Sequence, residues 1–403
     1  MVAPKLRFKE FNNDWSLKKL GDLSFKPQYG MNSSATEFDG ENKYLRITDI
    51  NEDDHSFNFS KLTSPADDLD DKYLLKNGDL LFARTGASVG KSYLYNSKDG
   101  KVYFAGFLIK FSLQTEVNPY FIFSQTLSKK FQNWVITNSM RSGQPGINAE
   151  EYSLLPISFT SLKEQTKIAT FLSAVDEKIS QLSQKHQLLS QYKQGMMQKI
   201  LSQQIRFKAD DGSEFEEWES RTLAEVGENI IGLTYSPTDV TNDGSGILVL
   251  RSSNIKNGRL NKNDQVRVNK KIKDKILVQP NDILICTRNG SQRLIGKSVI
   301  INDNEVMTFG AFMSVYRSQY NRFIAYLMQT PWFFEQVQMN LGARINQITT
   351  GTLNEFTFDF PCLEEQTKIA NFLSAIDQKI EVIEQQIEQA KQWKKGLLQQ
   401  MFV

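Results

Sequence analysis

EQTKIATFLSAVDEKI at residues 164–179 recurs as EQTKIANFLSAIDQKI at 365–380, identical at 13 of 16 positions with an offset of 365 − 164 = 201. Identity of that order does not arise by chance, so the chain must fold as one unit written twice. Upstream the correspondence continues at drifting offsets. LRFKEF from Leu6 answers IRFKAD from Ile205, LRITDI from Leu45 answers LRSSNI from Leu250, and FAGF from Phe104 answers FGAF from Phe309. NGDLLFARTG from Asn77 likewise answers PNDILICTRNG from Pro280. The segments that close each half barely differ, whereas the stretches before them agree only at framework positions. The expected organisation is therefore two variable modules on two constant connectors: module 1–160, connector 161–203, module 204–361, connector 362–403.

The connectors carry a heptad seam. In the first, Ile168, Leu172, Val175, Ile179 and Leu182 follow 4-3-4-3 spacing, continued by His186, Leu189, Lys193, Met196 and Ile200. The second repeats it as Ile369, Leu373, Ile376, Ile380 and Ile383, then Ile387, Ala390, Lys394, Leu397 and Met401. Neither stretch contains proline, so each reads as one continuous helix of roughly 55 Å at 1.5 Å rise per residue. Such a length exceeds the ~30 Å of a small domain, which favours the two helices pairing with each other over each lying on its own module. His186 sits on the seam as a packed or register-setting residue.

Each module reads as mixed, strand-rich structure. KYLRITDI, GDLLFAR, KSYLYN and VYFAGFLIKFSL mark the first; GILVLRS, DILICTR, GKSVIIN and MTFGAFMSVYR mark the second. A helical run with aromatics at helical spacing follows each, PYFIFSQTLSKKFQNWVI and NRFIAYLMQTPWFFEQVQ, and those aromatics read as core. ARTGASVGKS at 83–92 imitates a phosphate-binding loop. Three residues separate Gly86 from Gly90 where such a loop needs four, and SYLYN beyond Lys91 reads as strand where a helix should begin. Its counterpart CTRNGSQRLIGKS has five residues between Gly290 and Gly296. The stretch is therefore a hairpin of variable length. Its tip bears Arg84, Thr85, Ser88 and Lys91 in one module and Arg288, Asn289, Gln292, Arg293 and Lys297 in the other. Arginine reads guanine edges, asparagine and glutamine read adenine, and lysine and serine hold phosphates. A second polar tip follows each aromatic run, with Arg141, Ser142, Gln144 and Asn148 in the first module and Arg344, Asn346, Gln347 and Thr349 in the second. The competing reading of all four tips is ordinary solvated turns.

Composition excludes more than it selects. The net charge of +2 confines any nucleic-acid surface to local patches. Two cysteines, Cys286 and Cys362, show no metal-ligand spacing, and the acidic run with Asp53, Asp54, Asp67, Asp68, Asp70 and Asp71 reads as a solvated loop. No apolar run is long enough for a membrane span, so a cytoplasmic location without membrane contact is expected. A methyltransferase would carry a glycine-rich cofactor loop and an Asn-Pro-Pro-aromatic tetrapeptide; NPYF at 118–121 lacks the second proline and stands at a helix start. Two histidines, His55 and His186, build no nucleophilic constellation. The chain reads as a recognition protein without chemistry of its own.

Two variable modules, each closed by EQTKIA.FLSA.D.KI, resemble over essentially the whole chain the specificity subunit of type I restriction–modification systems. The resemblance implies an α+β fold with two target recognition domains joined by two long antiparallel coiled-coil helices. It implies that each domain reads one half of a split, asymmetric site in double-stranded DNA. It implies two modification subunits docked on the helices through Glu164, Gln165, Glu365 and Gln366, methylating adenine with S-adenosylmethionine. Restriction subunits using ATP and Mg would join them, and no cofactor would be bound by this chain. One departure stands before the box, where the second half has Pro361 and the first has Thr160. Two rivals compete: a coiled-coil scaffold with two protein-binding modules, and a stand-alone methyltransferase. The scaffold would need exposed apolar patches in place of polar tips.

Overall fold

The computed structural model describes residues 4–341 and 346–402. The chain divides into two compact units, one running to Lys185 and taking in the C-terminal stretch from Ile383, the other His186–Val382. Each is α+β and holds a strand-rich module with part of each of two long helices, Leu162–Leu201 and Leu363–Met401.

In the first unit a four-stranded antiparallel sheet has the spatial order Gln28–Tyr29, Leu108–Phe111, Leu80–Ala83, Ser92–Leu94. Leu80–Ala83 is buried throughout because both faces are covered. Alternation along the strand sends Leu80 and Phe82 to the helices, while Leu81 and Ala83 face Tyr93, Phe104 and Leu45. The second unit repeats the plan with Glu228–Ile231, Met313–Arg317, Ile283–Cys286 and Ser298–Ile300. There Ile283 and Ile285 face the helices, and Leu284 and Cys286 the opposite layer.

Two runs read from the sequence as single elements are each divided. VYFAGFLIKFSL forms Val102–Phe104, paired in parallel with Lys43–Leu45, and Leu108–Phe111 in the larger sheet; the chain changes sheets across Ala105–Phe107. Met307–Phe309 and Met313–Arg317 do the same in the second unit. The aromatic runs are helix pairs, Pro119–Thr126 with Lys129–Ser139 and Asn321–Leu327 with Pro331–Met339. The second helix of each pair starts on its own N-cap: the Ser128 hydroxyl accepts from the Phe131 N–H at 3.2 Å and the Thr330 hydroxyl from the Phe333 N–H at 3.3 Å. Phe121, Phe131, Phe323 and Phe333 are core residues, as their spacing suggested.

The long helices pair antiparallel, and each unit shows it separately. In the first, Ile168, Leu172 and Val175 at the start of one helix share a core with Leu397, Leu398, Met401 and Phe402 at the end of the other. In the second, Met197, Ile200 and Leu201 meet Ile369 and Leu373. Ile179 packs against the first core; Leu182 and Ile383 are buried in the first unit, Ile376 and Ile380 in the second. The two seam lysines carry their charge to the rim, as long aliphatic stems allow. Lys394 pairs with Asp176 at 2.6 Å, and Lys193 with Asp377 at 2.7 Å. Both aspartates also accept a phenol from a module helix, Tyr120 in one unit and Tyr326 in the other. Burial pushes both phenols well above their ordinary range, and the neighbouring carboxylates add to it, so they stay protonated donors.

Candidate DNA interface

The stretch 83–92 is a hairpin: Leu80–Ala83 and Ser92–Leu94 pair antiparallel, with a short turn at Gly86–Ser88 between them. Gly90 and Gly296 close the two hairpins at φ +88° and +82°. A Cβ at Gly90 would lie 2.6 Å from the Val135 side chain, so both the conformation and the space require glycine there.

In each unit the structure brings the two polar tips together, although about 60 residues separate them in the chain. Gly86 N–H donates to the Pro145 carbonyl at 2.9 Å, Ile147 N–H to the Arg84 carbonyl at 2.9 Å, and Thr85 bridges Gly146. In the second unit Asn289 N–H donates to the Asn346 carbonyl at 3.2 Å, Ile348 N–H to the Thr287 carbonyl at 2.9 Å, and Arg288 bridges Gln347. Each unit thus presents one composite polar edge.

Within these edges the arginines differ in kind. Arg141 is tied to Glu151, and elsewhere Arg46 holds Asp49, Arg251 holds Asp264, Arg267 holds Glu305 and Arg317 holds Asp282. The Arg84 and Arg288 guanidiniums make no hydrogen bond or ion pair among the described residues. They lie instead on aromatic rings: Arg84 is 5.0 Å from the Tyr29 centroid and 5.9 Å from Phe107, and Arg288 is 4.9 Å from Phe312. Such stacking orients a planar donor fork without satisfying it. Arg293, Ser142 and Gln144 are exposed, Thr85 and Ser88 half-buried. Gln292 donates to Gln338, Asn289 donates to Ser252, and Asn346 donates to the Gly290 carbonyl. Asn148 and Thr349 occupy equivalent N-caps, accepting from Glu151 and Thr352 N–H groups, which uses their oxygens within the fold. Arg344 lies outside the described residues.

Two groups of residues turn out to face inward. Lys91 is buried, and its ammonium donates to the Ile50 carbonyl at 3.1 Å and pairs with Glu52. Lys297, half-buried, likewise donates to a backbone carbonyl, that of Ile255. These lysines tie the hairpin to the neighbouring layer. Glu164, Gln165, Glu365 and Gln366 are all buried, three of them with no exposed surface. Glu164 accepts two hydrogen bonds from Arg7 at 2.6 and 2.8 Å, one from Trp15 at 3.2 Å and one from Thr160 at 2.5 Å. Burial alone would raise its pKa, but these donors hold the carboxyl below its ordinary value. Glu365 repeats the arrangement with Arg206 at 2.9 Å and Trp218 at 3.0 Å. The Gln165 and Gln366 amides donate to the carbonyls of Thr160 and Pro361 at 2.7 and 2.8 Å, so the backbone serves in both, whereas only Glu164 also receives a hydroxyl at that position. Within the chain the boxes are latches between connector and module.

Arg7, Trp15, Arg206 and Trp218 were not singled out from the sequence. A signal existed: the RF pairs at 7–8 and 206–207 lie within the upstream repeat, and a tryptophan follows each.

Comparison with known proteins places the chain in a family. The family model described as type I restriction modification DNA specificity domain matches residues 12–191 and again 215–392. A provisionally named type I restriction enzyme MjaX specificity subunit of Methanocaldococcus jannaschii is 26% identical, over 98% of this chain and 94% of its own. The EcoKI specificity subunit of Escherichia coli is 28% identical over 44% of this chain and 40% of its own. Among solved structures, a type I restriction–modification S subunit from M. genitalium superposes with a TM-score of 0.63 at 14% identity, covering 100% of this chain and 99% of that one. With two copies of the domain covering most of its length, the chain belongs to the type I restriction–modification DNA specificity family.

Proposed function

We propose that this chain reads a split, asymmetric site in duplex DNA, one half with each unit, and directs partner subunits to act there. The observation that supports it is that each unit holds an arginine beside its composite polar edge with no acceptor among the described residues. A guanidinium is a rigid bidentate donor suited to the O6 and N7 of guanine. Two such forks on two units suit two separated half-sites. In this reading two modification subunits dock on the paired helices and methylate adenine with S-adenosylmethionine, and restriction subunits bring ATP and Mg. The chain itself supplies sequence recognition and no catalytic group.

The test is to map methylated adenines in cells carrying the complex, then measure binding of the assembled complex to duplexes varied base by base. Arg84→Ala should relax preference in one half and Arg288→Ala in the other, each by about 1 to 3 kcal/mol at a single position. Relaxation of both halves by one substitution, or of neither, would overturn the reading.

A further inference from the structure

Beside each of these guanidiniums stands a phenyl ring that the fold leaves in solvent. Phe107 is 60% exposed and Phe312 57%, in modules whose sequences have otherwise drifted apart. Neither hangs from a loose loop. The Phe107 carbonyl accepts from the Arg84 N–H at 3.1 Å, and the Phe312 carbonyl from the Thr287 and Arg288 N–H groups at 3.1 and 3.0 Å.

The rings are equivalent but the arginines are not. Ala83 pairs with Leu108 and Cys286 with Met313, so each phenylalanine directly precedes the same strand residue. Counted from Ala83 and Cys286, Arg84 is one step on and Arg288 two. Two arginines leaving the backbone at different positions nevertheless reach the same ring. What both halves keep is the ring with a guanidinium against it, and the ring is its fixed part.

An exposed ring costs solvation unless something covers it, and the surroundings say what kind of surface that is. Arg84 Nε is buried without an acceptor among the described residues. In the second unit Phe312 and Arg288 line an open cleft of about 780 Å³ with Tyr235, Arg251, Ser252 and Asn289. Exposed rings, each beside a guanidinium that no described residue answers, match stacked bases, which offer π faces and edge acceptors together, better than an apolar protein patch. We propose that Phe107 and Phe312 each insert against one base step of the duplex, one in each half-site, while the adjacent arginine reads a neighbouring base edge. This rests on the reading that the composite edges face DNA.

The experiment uses the chain assembled with its modification subunits on a site identified by methylation mapping. 2-Aminopurine is placed in turn at every position of each half-site, and Phe107→Leu, Phe312→Leu and the two Tyr variants are compared with wild type. The expected result is a fluorescence rise at one step per half with wild type. Phe107→Leu should abolish it in one half and Phe312→Leu in the other, each weakening specific binding about tenfold and leaving random-sequence binding unchanged. The Tyr variants should restore both. Fluorescence unchanged by the Leu variants, equal loss on random DNA, or failure to take up modification subunits would overturn the proposal. Arg84→Ala and Arg288→Ala run in parallel separate it from the reading beneath it. If they blur the half-sites while the Leu variants do nothing, only the stacking role fails; if neither set matters, the interface reading fails too.

Discussion

A carboxylate without exposed surface persists only where its charge is answered, and Glu164 is answered by Arg7, Trp15 and Thr160. Glu164→Gln should remove the charge opposite the half-buried Arg7, which keeps its bond to the Asn13 carbonyl, costing about 1 to 3 kcal/mol in urea unfolding of the chain. Because the folded carboxyl titrates below its ordinary 4.5, this contribution is present at neutral pH and lost as pH falls through the lowered value. His55 acts earlier. Burial lowers its pKa from 6.5, its ring nitrogen Nδ1 lies 2.8 Å from the Ser92 carbonyl, and protonation opposes the fold. Stability of the first unit should therefore begin to decline as pH drops below 6.5, and His55→Gln should flatten that limb of the profile while leaving the limb below 4.5. Lys91→Ala should behave as a structural change. It should lower stability by about 1 to 3 kcal/mol and leave the salt dependence of DNA binding unaltered. A drop of one in the salt slope would return Lys91 to the phosphates.

At the scale of elements, the heptad seam was legible because a helix writes its buried stripe at a fixed period, and every position from Ile168 to Leu182 and from Ile369 to Ile383 is buried or packed. Aspartates at both Ile179 and Ile380 should separate the helices, since unpaired carboxylates on the seam cost several kcal/mol. Size-exclusion chromatography of the assembled complex would read this as lost assembly; an intact complex would contradict the paired-helix arrangement. The aromatic runs were less legible. Apolar periodicity passes through Ser128 and Thr330 without a break, and only the cap hydrogen bonds reveal the second helix starts. Ser128→Ala should cost about 1 kcal/mol by thermal unfolding.

For the whole molecule, near identity of the connectors leads to the expectation of two modification subunits per chain, checked by native mass spectrometry; a stable limit of one would refute it. Duplication, paired seams and strand-rich modules could be read from the chain alone, because repeat length, heptad period and strand alternation are one-dimensional patterns set by backbone geometry. The sequence by itself also determined that the Gly-Lys-Ser stretch is a hairpin, since two loop lengths cannot both cradle a phosphate. Which tip residues face outward was decided only by the tertiary structure. Lys91 turns in because the Ile50 carbonyl and Glu52 lie within reach of its stem, and the Arg7–Glu164 latch joins residues 157 positions apart. The one-residue offset between Arg84 and Arg288 emerged only from strand register. Those outcomes depend on distances between segments remote in sequence, and no local period encodes such distances.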